Sequence, residues 1–141
     1  MTIPAILLPL FVEVILTFIL LLWLGVLRRR ALHSGATRLS QIALREPNWP
    51  PGARQVEYSF SNQFELPVLF YVLTILEIIT RHADFIFVVL AWVFVLTRFG
   101  QAYVHTTSNN VTLRGGIYAI GAIVLMAMWI IFIVRILLGL P

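Results

Sequence analysis

Apolar residues dominate four stretches of the chain, 3–27, 58–80, 85–105 and 116–140, and most polar residues gather in the segments between them. An α-helix rising 1.5 Å per residue needs roughly 20 predominantly apolar residues to cross a hydrocarbon core about 30 Å thick, and each stretch is long enough. The pattern predicts an all-α integral membrane protein, a four-transmembrane-helix bundle forming a single domain over 1–141 with no internal repeat. The first stretch is no secretory signal by pattern. Nothing basic precedes it, its apolar run is too long, and Arg28, Arg29 and Arg30 follow it, so it is expected to stay in the mature protein.

The connecting segments refine this picture. Segment 28–57 is the only extended polar region, and its Pro47, Pro50, Pro51 and Gly52 argue against one continuous helix there, although 37–45 fits a short interfacial helix. The turn at 81–84 is so short that the second and third spans must be antiparallel neighbours. Segment 106–113 is polar, with Ser108, Asn109 and Asn110 as turn formers. In the last span Gly115, Ala119 and Ala122 recur at helical spacing, with Gly116, Gly121 and Ala127 beside them, a pattern that permits close packing within one chain or between subunits.

Composition then removes whole classes of function. The chain is 60% hydrophobic and 11% charged, against about 25% charged in an average soluble domain. All ten basic residues are arginine, against six acids, and they flank apolar runs, so a nucleic-acid partner is rejected. The absence of cysteine excludes disulfides, thiolate metal sites and a protein thiol nucleophile. Arg28, Arg29, Arg30, Arg38, Arg45, Arg54 and Arg114 fall on one side of the membrane, Arg81 and Arg135 on the other. The positive-inside rule therefore predicts periplasmic termini and cytoplasmic first and third loops, in a bacterial inner membrane for so compact a chain.

An ionised side chain at the bilayer centre costs about 2.5–3.5 kcal/mol on lenient scales, so each one needs a partner or a purpose. Glu77 is expected to meet Arg81 at i, i+4, and Glu13 to meet Arg135 or to stand protonated. Proton transport is the sharper reading of Glu13, for which one acid is thin support. In the second span Tyr58, Asn62 and Glu65 share a helical face, and Pro67 leaves the Gln63 carbonyl without its usual donor, so a bend is expected there. The cluster reads equally as an interhelical clamp or a ligand site. In the third span Arg98, Gln101 and His105 form one stripe, with Phe99 and Tyr103 a turn apart. Arg98 can snorkel or neutralise Glu65, and a lone histidine such as His105 is weak grounds for a metal or proton-transfer site.

The arginine run after the first span, the Pro-Pro linker, Asn62-Gln63-Phe64-Glu65 leading to Pro67, and the Tyr103 and Arg114 region together resemble the MAPEG proteins, membrane-associated proteins of eicosanoid and glutathione metabolism, in a bacterial-type form. The likeness spans nearly the whole chain. It implies a homotrimer holding glutathione as co-substrate between subunits at the cytoplasmic helix ends, within membrane lipids. By position, Asn62 and Glu65 would hold its peptide part and Tyr103 would contact it. Arg28 or Arg30 would complete the basic side, with Tyr58 and Arg98 at the same site, and Arg114 would be catalytic, approaching the sulfur. Tyr58 stands where members usually carry arginine, with Arg54 one turn further back, and Phe99 where some carry tyrosine. The implied activity is a glutathione transferase or peroxidase acting on a lipophilic electrophile, with a non-catalytic lipid-binding or structural protein as the alternative and a transporter as the third.

Overall fold

The computed structural model describes every residue except Arg45, whose expected contribution to the cytoplasmic charge and to an interfacial helix lies outside the described residues. Among the described residues five helices, α1 (Ile3–Ser34), α2 (Pro51–Asn62), α3 (Leu66–Ile79), α4 (Phe85–Thr106) and α5 (Val111–Leu137), make four membrane spans, because α2 and α3 are two halves of the second. The four-span bundle expected from the sequence is thus the observed fold. Apolar side chains face outward along every helix, among them Leu22, Phe18, Ile123 and Met126, as a lipid solvent allows.

Helix boundaries move for identifiable reasons. Helix α1 runs past 27 to Ser34 because leucine, alanine and arginine favour helix, and it stops where Gly35 turns left-handed at φ 78°. At about 48 Å for 32 residues it exceeds the bilayer core, so its arginine-bearing last turns stand clear. The linker prolines do not delay α2 until Tyr58. Pro51 begins it, at a first-turn position where a missing N–H costs nothing. In place of the interfacial helix at 37–45 there is a 3-10 turn, Leu39–Gln41. Helix α5 starts at Val111, a turn before 116, because the Asn110 side chain accepts from the Leu113 N–H at 3.1 Å.

The core lies where α4 packs on α5, joined from α3 by Phe70, whose ring lies 5.0 Å from that of Phe94, with Leu73, Leu125 and Met128 around them. A Cβ on Gly121 would sit 2.6 Å from Thr97 Oγ1, so glycine is what lets α5 lie this close to α4. Gly115 and Gly116 meet nothing within 4 Å, so their part of the small-residue stripe is unused within one chain. A smaller cluster of Leu16, Leu20, Leu24, Val56 and Ala102 joins α1 and α2 to α4.

Two expected ion pairs do not form. Arg81 sits in a left-handed turn at φ 57° and makes no ion pair with Glu77 among the described residues. Glu13 is 0% exposed, and among the described residues neither of its carboxyl oxygens has a hydrogen-bond partner. Its expected partner Arg135 is held elsewhere, donating to Asp84 Oδ2 at 3.2 Å and to the His82 carbonyl at 3.0 Å. The charge within electrostatic reach of Glu13 is Arg98.

Candidate functional site

The second span breaks at residues 63–65. Pro67 has no N–H to offer the Gln63 carbonyl, so α2 ends at Asn62 and α3 restarts at Leu66. A broken helix leaves carbonyls without intrahelical donors, and side chains answer two of them. The Gln63 amide donates to the Ser59 carbonyl at 2.9 Å, and the Arg98 guanidinium donates to the Asn62 carbonyl at 3.0 Å. Arg98 also brings positive charge to the negative end of α2. It is only 1% exposed and lies 5.6 Å from the Tyr118 ring centroid.

In front of this break lies a cavity of about 470 Å³, lined by Tyr58, Ser61 and Asn62 of α2, Glu65 at the break, Gln101 and His105 of α4, and Arg114, Gly115 and Tyr118 of α5. Arg114 is fixed at its edge by donating to Asn109 Oδ1 at 2.6 Å, from a turn in which Asn109 adopts φ 51°. The Tyr58 hydroxyl accepts from Arg54 at 3.1 Å, and its ring stacks 6.4 Å from that of His105. The lining therefore carries one acid, Glu65, one fixed cation, Arg114, and neutral donors and acceptors between them.

Four expected site residues, Tyr58, Asn62, Glu65 and Arg114, thus share one wall-to-wall space. The others do not line it. Arg98 sits behind the wall, on the Asn62 carbonyl, and forms no ion pair with Glu65 among the described residues. Arg28 pairs with Glu57 at 3.0 Å and lies 4.9 Å over Trp49, in an adjoining cavity that meets the first at Ser61. Arg30 lies on another face, beside Ser34 and Ala53. Tyr103 is 71% exposed and turned away from the cavity, because α4 gives its inward face to Gln101 and His105. A helix places residues 103 and 101 about 200° apart, so one chain has no means of using both at once.

The sequence pattern of the MAPEG family matches residues 6–134. The chain belongs to the MAPEG family. It is accordingly an integral membrane protein of a glutathione-related family. No curated protein and no solved structure matches this MAPEG chain. Its own lining adds Ser61, Gln101, His105 and Tyr118 to the residues expected. Tyr118 follows Arg114 by one turn of α5, a relation that a span beginning at 116 conceals. His105, a lone histidine, lines the cavity with its ring stacked beside that of Tyr58.

Proposed function

We propose that this MAPEG chain binds glutathione in the cavity in front of the α2–α3 break and presents its thiol to lipophilic electrophiles, as a transferase or peroxidase. The observation that carries the reading is the meeting of Asn62, Glu65 and Arg114 on one cavity of about 470 Å³, within the usual range for small-molecule sites. Glutathione has one ammonium, two carboxylates and a thiol. Glu65 suits the ammonium, Arg114 suits the thiolate or a carboxylate, and Asn62, Gln101 and the Tyr118 hydroxyl suit the peptide groups.

A thiol of pKa near 8.5 is a weak nucleophile at neutral pH until nearby positive charge favours its thiolate. Each unit of depression corresponds to about 1.36 kcal/mol of differential stabilisation, which the Arg114 guanidinium can supply. In a transfer step the sulfur bonds to the electrophilic carbon, the leaving group departs with the bonding pair, and the thiol proton passes to water at the open mouth. The arginine-rich loops support a cytoplasmic mouth, with both termini on the periplasmic side of a bacterial inner membrane. A homotrimer would set a neighbour's surface against the exposed Tyr103, giving it a route to the ligand that a single chain lacks.

The second reading, a non-catalytic lipid-binding or structural protein, is favoured by Tyr58 at the usual arginine position, where only Arg54 supplies the charge. Calorimetry separates them. Glutathione is expected to bind the purified protein in neutral detergent with micromolar to millimolar affinity, about 4–8 kcal/mol, and at least about tenfold more weakly in Glu65→Gln. Bound thiolate absorbance is expected in wild type and absent in Arg114→Ala. No heat at high ligand concentration would end the enzyme reading, and a thiolate signal surviving Arg114→Ala would remove Arg114 from the chemistry.

A further inference from the structure

At the opposite mouth of the bundle a separate cavity of about 380 Å³ is lined by the ends of α3, α4 and α5. Glu77, Asp84 and Arg135 supply its polar lining, and Ile86, Leu90 and Ile131 wall an apolar arm. Asp84 is fully engaged: one carboxylate oxygen accepts the Phe87 N–H at 3.0 Å and caps α4, and the other accepts Arg135 at 3.2 Å. The remaining Arg135 donors go to backbone, to the His82 carbonyl at 3.0 Å and the Pro141 carbonyl at 2.6 and 2.9 Å. These two charges satisfy each other.

Glu77 is left over. It is 2% exposed, lines the cavity, makes no ion pair among the described residues, and has a buried Oε2 with no hydrogen-bond partner. A carboxylate in an apolar wall with an unanswered oxygen is costly, and intramembrane acids of this kind mark ligand or ion positions. Asp84 and Arg135 are paired with each other, so Glu77 is the acidic side chain of this lining with no ion-pair partner among the described residues. A metal ion is poorly served, since no group of three candidate ligands is present among the described residues. The free oxygen calls for an N–H donor, and the apolar arm calls for hydrocarbon beside it.

We propose that this cavity binds the primary ammonium head of an apolar-chain amine, which donates to Glu77 Oε2 while its first methylenes lie along Ile86, Leu90 and Ile131. Free lipophilic amines and phosphatidylethanolamine headgroups share that chemistry. Native mass spectrometry of the full chain in neutral detergent tests it with octylamine, octyltrimethylammonium and octanol as probes. Octylamine is expected to bind at least about tenfold more tightly than either control, because only it has both charge and N–H donors.

That preference is expected to disappear in Glu77→Gln and to weaken in Ile131→Trp, which fills the arm without touching the carboxyl. It should persist in Glu65→Gln, which alters the other mouth. Octylamine binding that is absent in wild type, unchanged in both Glu77→Gln and Ile131→Trp, lost in Glu65→Gln, or matched by the quaternary amine would overturn the proposal. In nanodiscs, displacement of octylamine by phosphatidylethanolamine but not by phosphatidylglycerol identifies the lipid as the natural source. Lack of displacement identifies a free amine.

Discussion

Arg98 shows how one buried charge is made tolerable by its surroundings. Its guanidinium is held by the Asn62 carbonyl, the face of Tyr118 and the field of Glu13, none of which is adjacent in sequence. Arg98 and Glu13 lie within electrostatic reach of each other, so removing either changes the surroundings of the other. The substitutions Glu13→Gln and Arg98→Met are therefore expected to be non-additive in a double-mutant cycle, with a coupling of roughly 0.5–3 kcal/mol in detergent unfolding. Additivity within about 0.3 kcal/mol would show that the two charges do not feel each other. Gly121 and Gly116 make a second comparison. Gly121→Ala is expected to lower stability by about 1–3 kcal/mol, since the new methyl drives into Thr97 Oγ1, itself bonded to the Phe94 carbonyl at 2.6 Å. Gly116→Ala meets open space, and the monomer should gain up to about 1 kcal/mol of helix propensity.

Among the elements, the two-part second span was the most instructive to anticipate. Pro67 predicts a bend, and the bend is a full interruption, at which the Gln63 amide donates to the Ser59 carbonyl and the Asn62 carbonyl accepts from both the Glu65 N–H and Arg98. Restoring the missing N–H with Pro67→Ala is expected to raise helicity by circular dichroism and to weaken glutathione binding at least about tenfold, about 1.4 kcal/mol, by turning Glu65 away from Asn62. Unchanged binding in a more helical variant would show that the break does not shape the site. The spans themselves were legible from apolar length alone. Their ends were not, since Pro51 and Asn110 start helices by local backbone chemistry that a hydropathy pattern ignores. Tyr103 faces outward from the single chain, and its position in a motif says nothing about which way α4 is rotated in the bundle.

At the scale of the molecule, the buried share of each span is modest, and lipid or neighbouring chains must cover the rest. Gly116 is exposed, with nothing within 4 Å among the described residues, so its replacement by leucine is expected to shift the oligomer seen by native mass spectrometry while leaving the chain helical. An unchanged oligomer would place the subunit contact elsewhere. Because the chain has no cysteine, single replacements report its orientation cleanly. A membrane-impermeant maleimide added to intact cells is expected to label Thr2→Cys and to spare Ser34→Cys until the cells are opened. The reverse pattern would invert the assignment made from the arginines.

The close approach of α5 to α4 at Gly121 has a mechanical corollary for traffic into the bundle. Gln101, His105, Arg114 and Tyr118 ride on two rods locked together, so that side of the chamber behaves as a fixed jamb. The opposite side belongs to a rod already severed at residues 63–65. A guest too bulky for the resting aperture meets a wall on this second side whose helical hydrogen bonding is interrupted at the α2–α3 joint.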